Sequence, residues 1–523
     1  MAKYLRPLDP WDRVMLAMHN IKVYNNVQVG ARLQLQNASS HPTIKSIPTC
    51  KAQWQSLLAG PLAWLVQEHP SLSVVIGDHL SGEPAYWQLP SIDLVQLVHY
   101  ETIQYATEMC TVIEAKHTLS FDTANQNMPL WRLFVVHILE DDTFFLIFCF
   151  HHSIADAGSF VALSEQLVER LNLEATTTTP VSHSVRSGDD LHLVVPSSNK
   201  PLPPSLEMRV NCKPGLKTIF SALAPILVPG FIRRFVETQY WAGDFDACAE
   251  NPHETQVGYV TLSKAETLQA LKAAKEHKMT LHALLMAAAA FATKAVLMSS
   301  GSDTPNVHTN EVLRTGTVVN LRQLVAPAID RFDLGNYASD MLHKDLSVEM
   351  DTPFWEVAQF YAQELTAKAR SPAGVQLLLE FVGLCGLMPR HPGGIEESLC
   401  ALGRSFQHGR QASLRCSNVG RAWDQKTTPP QGDHQAFFKV LEAVFSQSAP
   451  DNSSAMTLNV VTANSRLAIA GTWQKAAIAG RDRGERMVQM MKQVLVDATT
   501  SGGGDIVFKD MLLQSTQETK ADL

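Results

Sequence analysis

Apolar residues follow two rhythms along this chain, and the place where one gives way to the other is its most informative stretch. Phe144-Phe-Leu-Ile-Phe-Cys-Phe150 is continuously apolar and runs straight into His151-His152-Ser153-Ile154-Ala155-Asp156. An apolar run of this length reads as a strand buried on both faces. Such a strand delivers the titratable groups at its end to the rim of a sheet. Met128–Leu139 is a second strand, and Glu140-Asp141-Asp142 between the two is turn chemistry, so the pair reads as an antiparallel hairpin. From Phe160 the apolar positions fall at 160, 163, 167, 168 and 171, the spacing of a helix leaving the histidines.

The same two periods organise the rest. Val27–Leu35 alternates like a strand, 50–68 is helical with Trp54, Leu57, Leu58, Leu62 and Leu65 on one side, and Ser71–Ile76 reads as a strand. Residues 174–206 change to Thr-, Ser- and Pro-rich composition, which is that of a linker. The chain therefore divides into a lobe at 1–175, a linker at 176–206 and a second lobe at 207–523. The second lobe opens with a strand at Glu254–Leu262. Ser263-Lys-Ala-Glu266 then forms a capping box. Thr280 caps a helix at His282–Met298, Gly316–Arg322 is a strand, Leu334–Ser339 turns into another, and Phe354–Ala367 is helical. Pro389–Gly394 is a loop, Ala455–Thr462 and Arg466–Trp473 form a hairpin, and Glu485–Val496 is an amphipathic helix. The tail after Ser501 reads as loose. Runs of strands and helices, without strict alternation, favour an α+β architecture.

With 523 residues the chain exceeds what one core usually spans, so two units are expected. Hydrophobic residues at 45% and charged residues at 18% are ordinary for a globular protein. A net charge of −8 with no basic block argues against nucleic acid as a partner. The first residues lack the apolar core of a signal peptide. Eight cysteines without a CxxC fit neither a zinc site nor a disulfide framework, which points to reduced thiols and a cytoplasmic setting. Gly215–Arg234 is the most lipid-like segment, but Pro225 and Pro229 interrupt it and it is too short to span a bilayer. It reads as a pair of packed surface helices, with peripheral membrane contact as the alternative.

His-His-x-x-x-Asp has a direct chemical reading. A histidine near neutral pKa takes a proton from an alcohol, amine or thiol and later returns it. An aspartate four residues on either aims that histidine or pins the turn through an arginine. No Gly-x-Ser-x-Gly elbow accompanies it, so a serine-hydrolase nucleophile has no signature here. Adjacent strand residues point to opposite faces, which makes His151 and His152 awkward as ligands to one metal.

The segment resembles the His-His-x-x-x-Asp-Gly motif of acyltransferases with the chloramphenicol-acetyltransferase-like fold, and most closely the fungal alcohol acetyltransferases. Other features stand in matching order. These are Arg6-Pro-Leu-Asp, Pro129-Leu-Trp131-Arg132, Leu202-Pro-Pro-Ser-Leu-Glu, Val319-Asn-Leu-Arg322, Leu334-Gly335-Asn336-Tyr337, Cys416-Ser417-Asn418-Val419-Gly420 and the last hairpin with Trp473. The resemblance implies two αβ lobes with a tunnel between them. It implies acetyl-CoA or another acyl-CoA as co-substrate rather than a resident cofactor, an alcohol acceptor and a monomeric chain. Carried over residue by residue, His152 is the general base and Asp156 a structural partner of Arg322. His151 and Gly158 are structural. Ser417 or Asn418 lies across the tunnel as an oxyanion donor, or merely ends a strand. A free-standing condensation-like domain using carrier-bound acyl groups and a non-catalytic member are the alternatives. One departure stands out: the family glycine after the aspartate is Ala157, a penalty if that position needs positive φ. The Asp-Phe-Gly-Trp-Gly motif of the plant enzymes is absent, and Ile506 follows Gly502-Gly-Gly-Asp505 where a carrier-protein attachment site has serine.

Overall fold

Two separate sheets, each with its own apolar core, carry the fold. The computed structural model describes residues 2–36, 47–174, 185–187, 190–228, 237–247, 253–299, 312–423, 438–500 and 506–513. The first sheet is built around Thr143–Phe150, in which every residue is buried. It pairs antiparallel with Trp131–Ile138 on one side and with Val27–Leu35 on the other. The hairpin is the one expected, closed through Asp142 at φ 53°. Val98–Ile103 adds one edge in parallel, and Phe438–Gln447 adds the other, antiparallel to Val27–Leu35. This last strand belongs to the second half of the sequence, so the lobes are joined by a shared sheet as well as by the linker. Gly30 lies where the central strands approach closely: a Cβ there would sit 2.1 Å from the Leu146 carbonyl oxygen.

The second sheet runs Thr255–Thr261, Arg466–Gln474, Ser454–Ala463, Ala412–Ala422, Thr315–Asn320, Ala338–Leu342. Its last hairpin turns on Asn464 and Ser465 at φ 49° and 60°, the left-handed pair that suits a two-residue connection. The Ser263–Glu266 capping box forms at the start of Lys264–Glu276. The Thr280 hydroxyl accepts from the Ala283 N–H at the start of Leu281–Ser299. That 19-residue helix is, among the described residues, the one long and apolar enough to cross a bilayer, but 83% of its apolar window is buried, in the second core.

Two expectations need correction. Ser71–Ile76 is not one strand: Pro70–Ser73 forms a 3-10 turn and the strand is Val74–Gly77, because Pro70 fixes a helical φ at its start. The tail is not loose where it is described. Residues 508–513 are helical, with Phe508 and Met511 buried in the second core and Phe508 edge-on to Phe291. The Phe508 N–H also donates to the Thr352 carbonyl. Two apolar anchors outweigh the polar flanks that suggested disorder. Leu216–Leu227 is a surface helix as expected, held to Pro372–Leu384 through Glu380, which accepts from the Gly215 N–H and the Thr218 hydroxyl, while Leu216, Phe220, Leu223 and Leu227 are exposed. The remainder of that segment (229–234), most of the first half of the linker, Cys248 and Gly502–Asp505 lie outside the described residues. Within the linker, Val194–Pro196 pairs with Ser91–Asp93, and a short helix follows at Leu206–Arg209.

Candidate active site at the lobe junction

The histidine strand ends because its ladder partner ends: the His151 N–H donates to the Leu130 carbonyl, and a tight turn follows in which the Ile154 N–H reaches the His151 carbonyl. Helix Ala157–Glu174 then begins, with Asp156 at its cap. The Asp156 Oδ1 accepts from the Ser159 N–H at 2.8 Å and the Ser159 hydroxyl at 3.0 Å. Strand, turn and cap thus present His151, His152 and Asp156 at one rim of the first sheet.

The second lobe meets this rim with Arg322 and the Gly335-Asn336-Tyr337 turn. Arg322 sits just past the end of Thr315–Asn320, not within the strand. It forks onto Asp156, Nη1 to Oδ2 at 2.8 Å and Nη2 to Oδ1 at 3.0 Å, and it also donates to the Ser159 hydroxyl at 2.7 Å. The Tyr337 N–H donates to Asp156 Oδ2 at 2.9 Å, and the Asp156 N–H donates to the Gly335 carbonyl. Both side chains of the pair are nearly inaccessible, at 5% and 7% exposure. Burial alone would raise the Asp156 carboxyl. The Arg322 charge and hydrogen bonds, with the N–H groups of Tyr337 and Ser159, more than offset it and hold the carboxyl below its ordinary value. The carboxylate is therefore fully engaged in joining the lobes, and none of its hydrogen bonds goes to an imidazole.

His151 turns into the first core. Its ring packs edge-on to His19 at 4.5 Å, its Nδ1 lies 2.7 Å from the Ser153 hydroxyl, and that nitrogen also accepts from the Ser153 N–H. Burial, then the neighbouring His19 and His152, push its pKa well down. His152 is half-buried and packs against Tyr24, ring centres 5.7 Å apart. Burial lowers its pKa too, partly opposed by its own backbone and by Asp156, so the imidazole is neutral at neutral pH.

Ala157 carries no backbone penalty. It is the first residue of the helix, it is buried, and it is not among the positions of positive φ. Gly158 is the tighter position: a Cβ would stand 3.3 Å from Arg322 Nη1 and 3.4 Å from Asp156 Oδ1, so a side chain there would press on the Arg322–Asp156 pair.

Ser417 and Asn418 lie on Ala412–Ala422. Cys416 faces the second core, so Ser417 takes the opposite face, in register with Val318 and Asn459. Asn459 Oδ1 accepts from Gln447 on the shared strand, and Gln447 Oε1 accepts from the Tyr24 hydroxyl at 3.0 Å. Ser417 is thereby on the face that reaches back toward the ring beside His152. The Asn418 side-chain oxygen accepts from the Gly420 N–H, where the strand shifts register before pairing resumes at Arg421. Tyr24, Gln447 and Asn459 carry no sequence signal, because three distant segments meet there. Ser159 did carry one: Asp-x-x-Ser at a helix start is cap chemistry.

A small cleft lies behind the turn, lined by residues that include Asp12, Tyr86, Ile154, Glu207 and Asn336, with neither His152 nor Ser417 on its wall.

Two mixed lobes sharing a strand, with the His-His-x-x-x-Asp turn of one locked to an arginine of the other, define the chloramphenicol-acetyltransferase-like class. Across solved structures the whole chain superposes on members of that class. The trichothecene 15-O-acetyltransferase TRI3 of Fusarium sporotrichioides matches with TM-score 0.64 at 12% identity, over 94% of this chain and 95% of that one. The first condensation domain of the CDA synthetase matches with TM-score 0.56 at 11% identity, over 98% of each chain. The model of the family described as alcohol acetyltransferase matches residues 97–495, and the chain belongs to that family. A probable alcohol acetyltransferase, crmB, of Aspergillus fumigatus is 23% identical over 205 residues, 38% of this chain and 41% of that protein. An uncharacterized protein of Schizosaccharomyces pombe, C18B11.03c, is 26% identical over 158 residues, 30% of this chain and 31% of that protein. The matched regions thus span less than half of either relative.

Proposed function

We propose that this chain is an acyl-CoA-dependent O-acyltransferase that moves an acyl group, acetyl first among them, from the thioester to the hydroxyl of a small-molecule alcohol. The observation that carries this is the neutral, half-buried His152 beside a carboxylate already engaged by Arg322, Tyr337 and Ser159. A base of that kind needs no triad. Nδ1 of His152 is buried, which leaves Nε2 for the acceptor. Nε2 takes the hydroxyl proton as the oxygen attacks the thioester carbonyl. The C–O bond forms, the tetrahedral oxyanion collapses, the C–S bond breaks, and the departing thiolate takes the proton back from the imidazolium. No acyl-enzyme forms. Ser417 or Asn418 supplies a hydrogen bond to the oxyanion, a contribution of about 3 kcal/mol where such donors have been removed. Holding both substrates in one enclosed passage between the lobes supplies much of the remaining rate. Leu216, Phe220, Leu223 and Leu227 form an outward apolar stripe, and it supports peripheral contact with lipid surfaces.

The test is thiol release from acetyl-CoA in the presence of a panel of alcohols. Release that requires the alcohol and disappears in His152→Ala is expected. Undiminished release in that variant would remove His152 from the role. Activity with carrier-bound acyl groups alone would select the condensation-like reading.

A further inference from the structure

Asp12 lies in the first turn of the helix Pro10–Asn20 and is 6% exposed. It has no cation of its own: Arg6 is hydrogen-bonded to Asp9 and lies over the Tyr86 ring at 5.3 Å. Its two oxygens meet two side chains that both reach the histidine turn. Asn336 Nδ2 donates to Asp12 Oδ1 at 2.6 Å and to the His152 carbonyl at 2.9 Å. The Tyr86 hydroxyl lies 2.7 Å from Asp12 Oδ2 and 2.5 Å from the Ser153 carbonyl.

Counting hydrogens points to the protonation. A backbone carbonyl only accepts, so the amide nitrogen of Asn336 must face His152, and Asp12 Oδ1 is then an acceptor. Tyr86 has one hydroxyl hydrogen. At 2.5 Å from the Ser153 carbonyl that hydrogen must lie between the two oxygens, since two bare oxygens would repel at this distance. The contact between Tyr86 and Asp12 Oδ2 then needs a hydrogen from the carboxyl group.

We propose that Asp12 is a neutral carboxylic acid that acts as a positioning residue, holding the carbonyls of His152 and Ser153 through Asn336 and Tyr86 and so fixing the aim of the His152 ring. The surroundings agree. Burial pushes the Asp12 carboxyl well up and the nearby Asp9 adds to it, while Tyr86, Asn336 and the more distant Arg6 pull the other way. The groups around Asp12 are thus Asp9 paired with Arg6, the Tyr86 phenol and the Asn336 amide, with Glu207 lining the same cleft. The inference rests on His152 as the base, because only then does its aim affect turnover.

The experiment compares wild type, Asp12→Asn and Asp12→Ala. An amide reproduces the neutral acid's pattern, accepting from Asn336 and donating to Tyr86. Asp12→Asn is therefore expected to keep kcat and KM within about twofold, with its pH profile unmoved. Asp12→Ala is expected to lower kcat by about tenfold or more with little change in KM, as a misplaced base does. The infrared difference spectrum, wild type minus Asp12→Asn at neutral pH, should show the band of a protonated carboxyl group. A carboxylate band there, or loss of kcat in Asp12→Asn equal to that in Asp12→Ala, overturns the proposal. If wild type transfers no acyl group, the proposed function fails, and the infrared band still decides the state of Asp12. If Asp12→Ala does not fold, Asp12→Asn and the spectrum decide between them.

Discussion

Replacing Arg322 by alanine should be among the most damaging single changes in this chain. The substitution leaves Asp156 buried, still accepting from the N–H groups of Tyr337 and Ser159, but without the cation that accounts for two of its hydrogen bonds. Breaking one partner out of a buried pair costs about 3–5 kcal/mol, because a charge is left uncompensated. Two charge-assisted hydrogen bonds at about 1.5–3 kcal/mol each give about 3–6 kcal/mol, an overlapping range. Total stabilities are only about 5–15 kcal/mol, so the variant should unfold at markedly lower denaturant. Asp156→Ala should cost a similar amount, since it strands Arg322 and removes the helix cap. Removing both should cost less than the sum by about 2 kcal/mol or more, the signature of direct coupling. Denaturant titrations of the two single variants and the double variant measure this. Arg322→Ala within about 1 kcal/mol of wild type, or strict additivity in the cycle, would show that the lobes are not clamped here. The pH dependence supplies a second reading. The folded Asp156 carboxyl titrates below its ordinary value, so its contribution is present above the unfolded pKa and is lost as pH falls through the folded one. In Arg322→Ala burial is no longer offset by the cation, so that acid-side loss should shrink, or turn into a gain as Asp156 is protonated.

Two further outcomes follow from the same geometry. Burial holds the His152 pKa below that of a free imidazole, so the acidic limb of kcat/KM should fall below about pH 6.5, and a limb above that value would mean the ring is stabilised as the cation. The exposed stripe of Leu216, Phe220, Leu223 and Leu227 should carry the protein down with zwitterionic vesicles, and serine at Phe220 and Leu227 should reduce the bound fraction severalfold, leaving thiol release with a soluble alcohol unchanged; equal sedimentation of variant and wild type would show that the helix does not touch lipid.

What the chain determines locally was legible from residue order alone. Thr143–Phe150 is apolar throughout because both faces of a central strand are covered, and its hairpin partner, the capping box at Ser263 and the left-handed Asn464-Ser465 turn all follow from neighbours a few residues apart. The His-His-x-x-x-Asp turn and its resemblance to acyltransferases belong to the same category. The tertiary structure decided everything that depends on segments meeting from afar. Arg322 reaches Asp156 across 166 positions, and it is that arginine which crowds a side chain at Gly158. Phe438–Gln447 completes the first lobe's sheet although it belongs to the second half, since an edge strand is chosen by hydrogen-bond complementarity and not by order in the chain. Phe508 and Met511 are buried because the second core has space for them, which no local window reports. Asp12 looks like an ordinary first-turn acid in sequence, favoured near the positive end of a helix. Burial between Tyr86 and Asn336 is what makes it a donor.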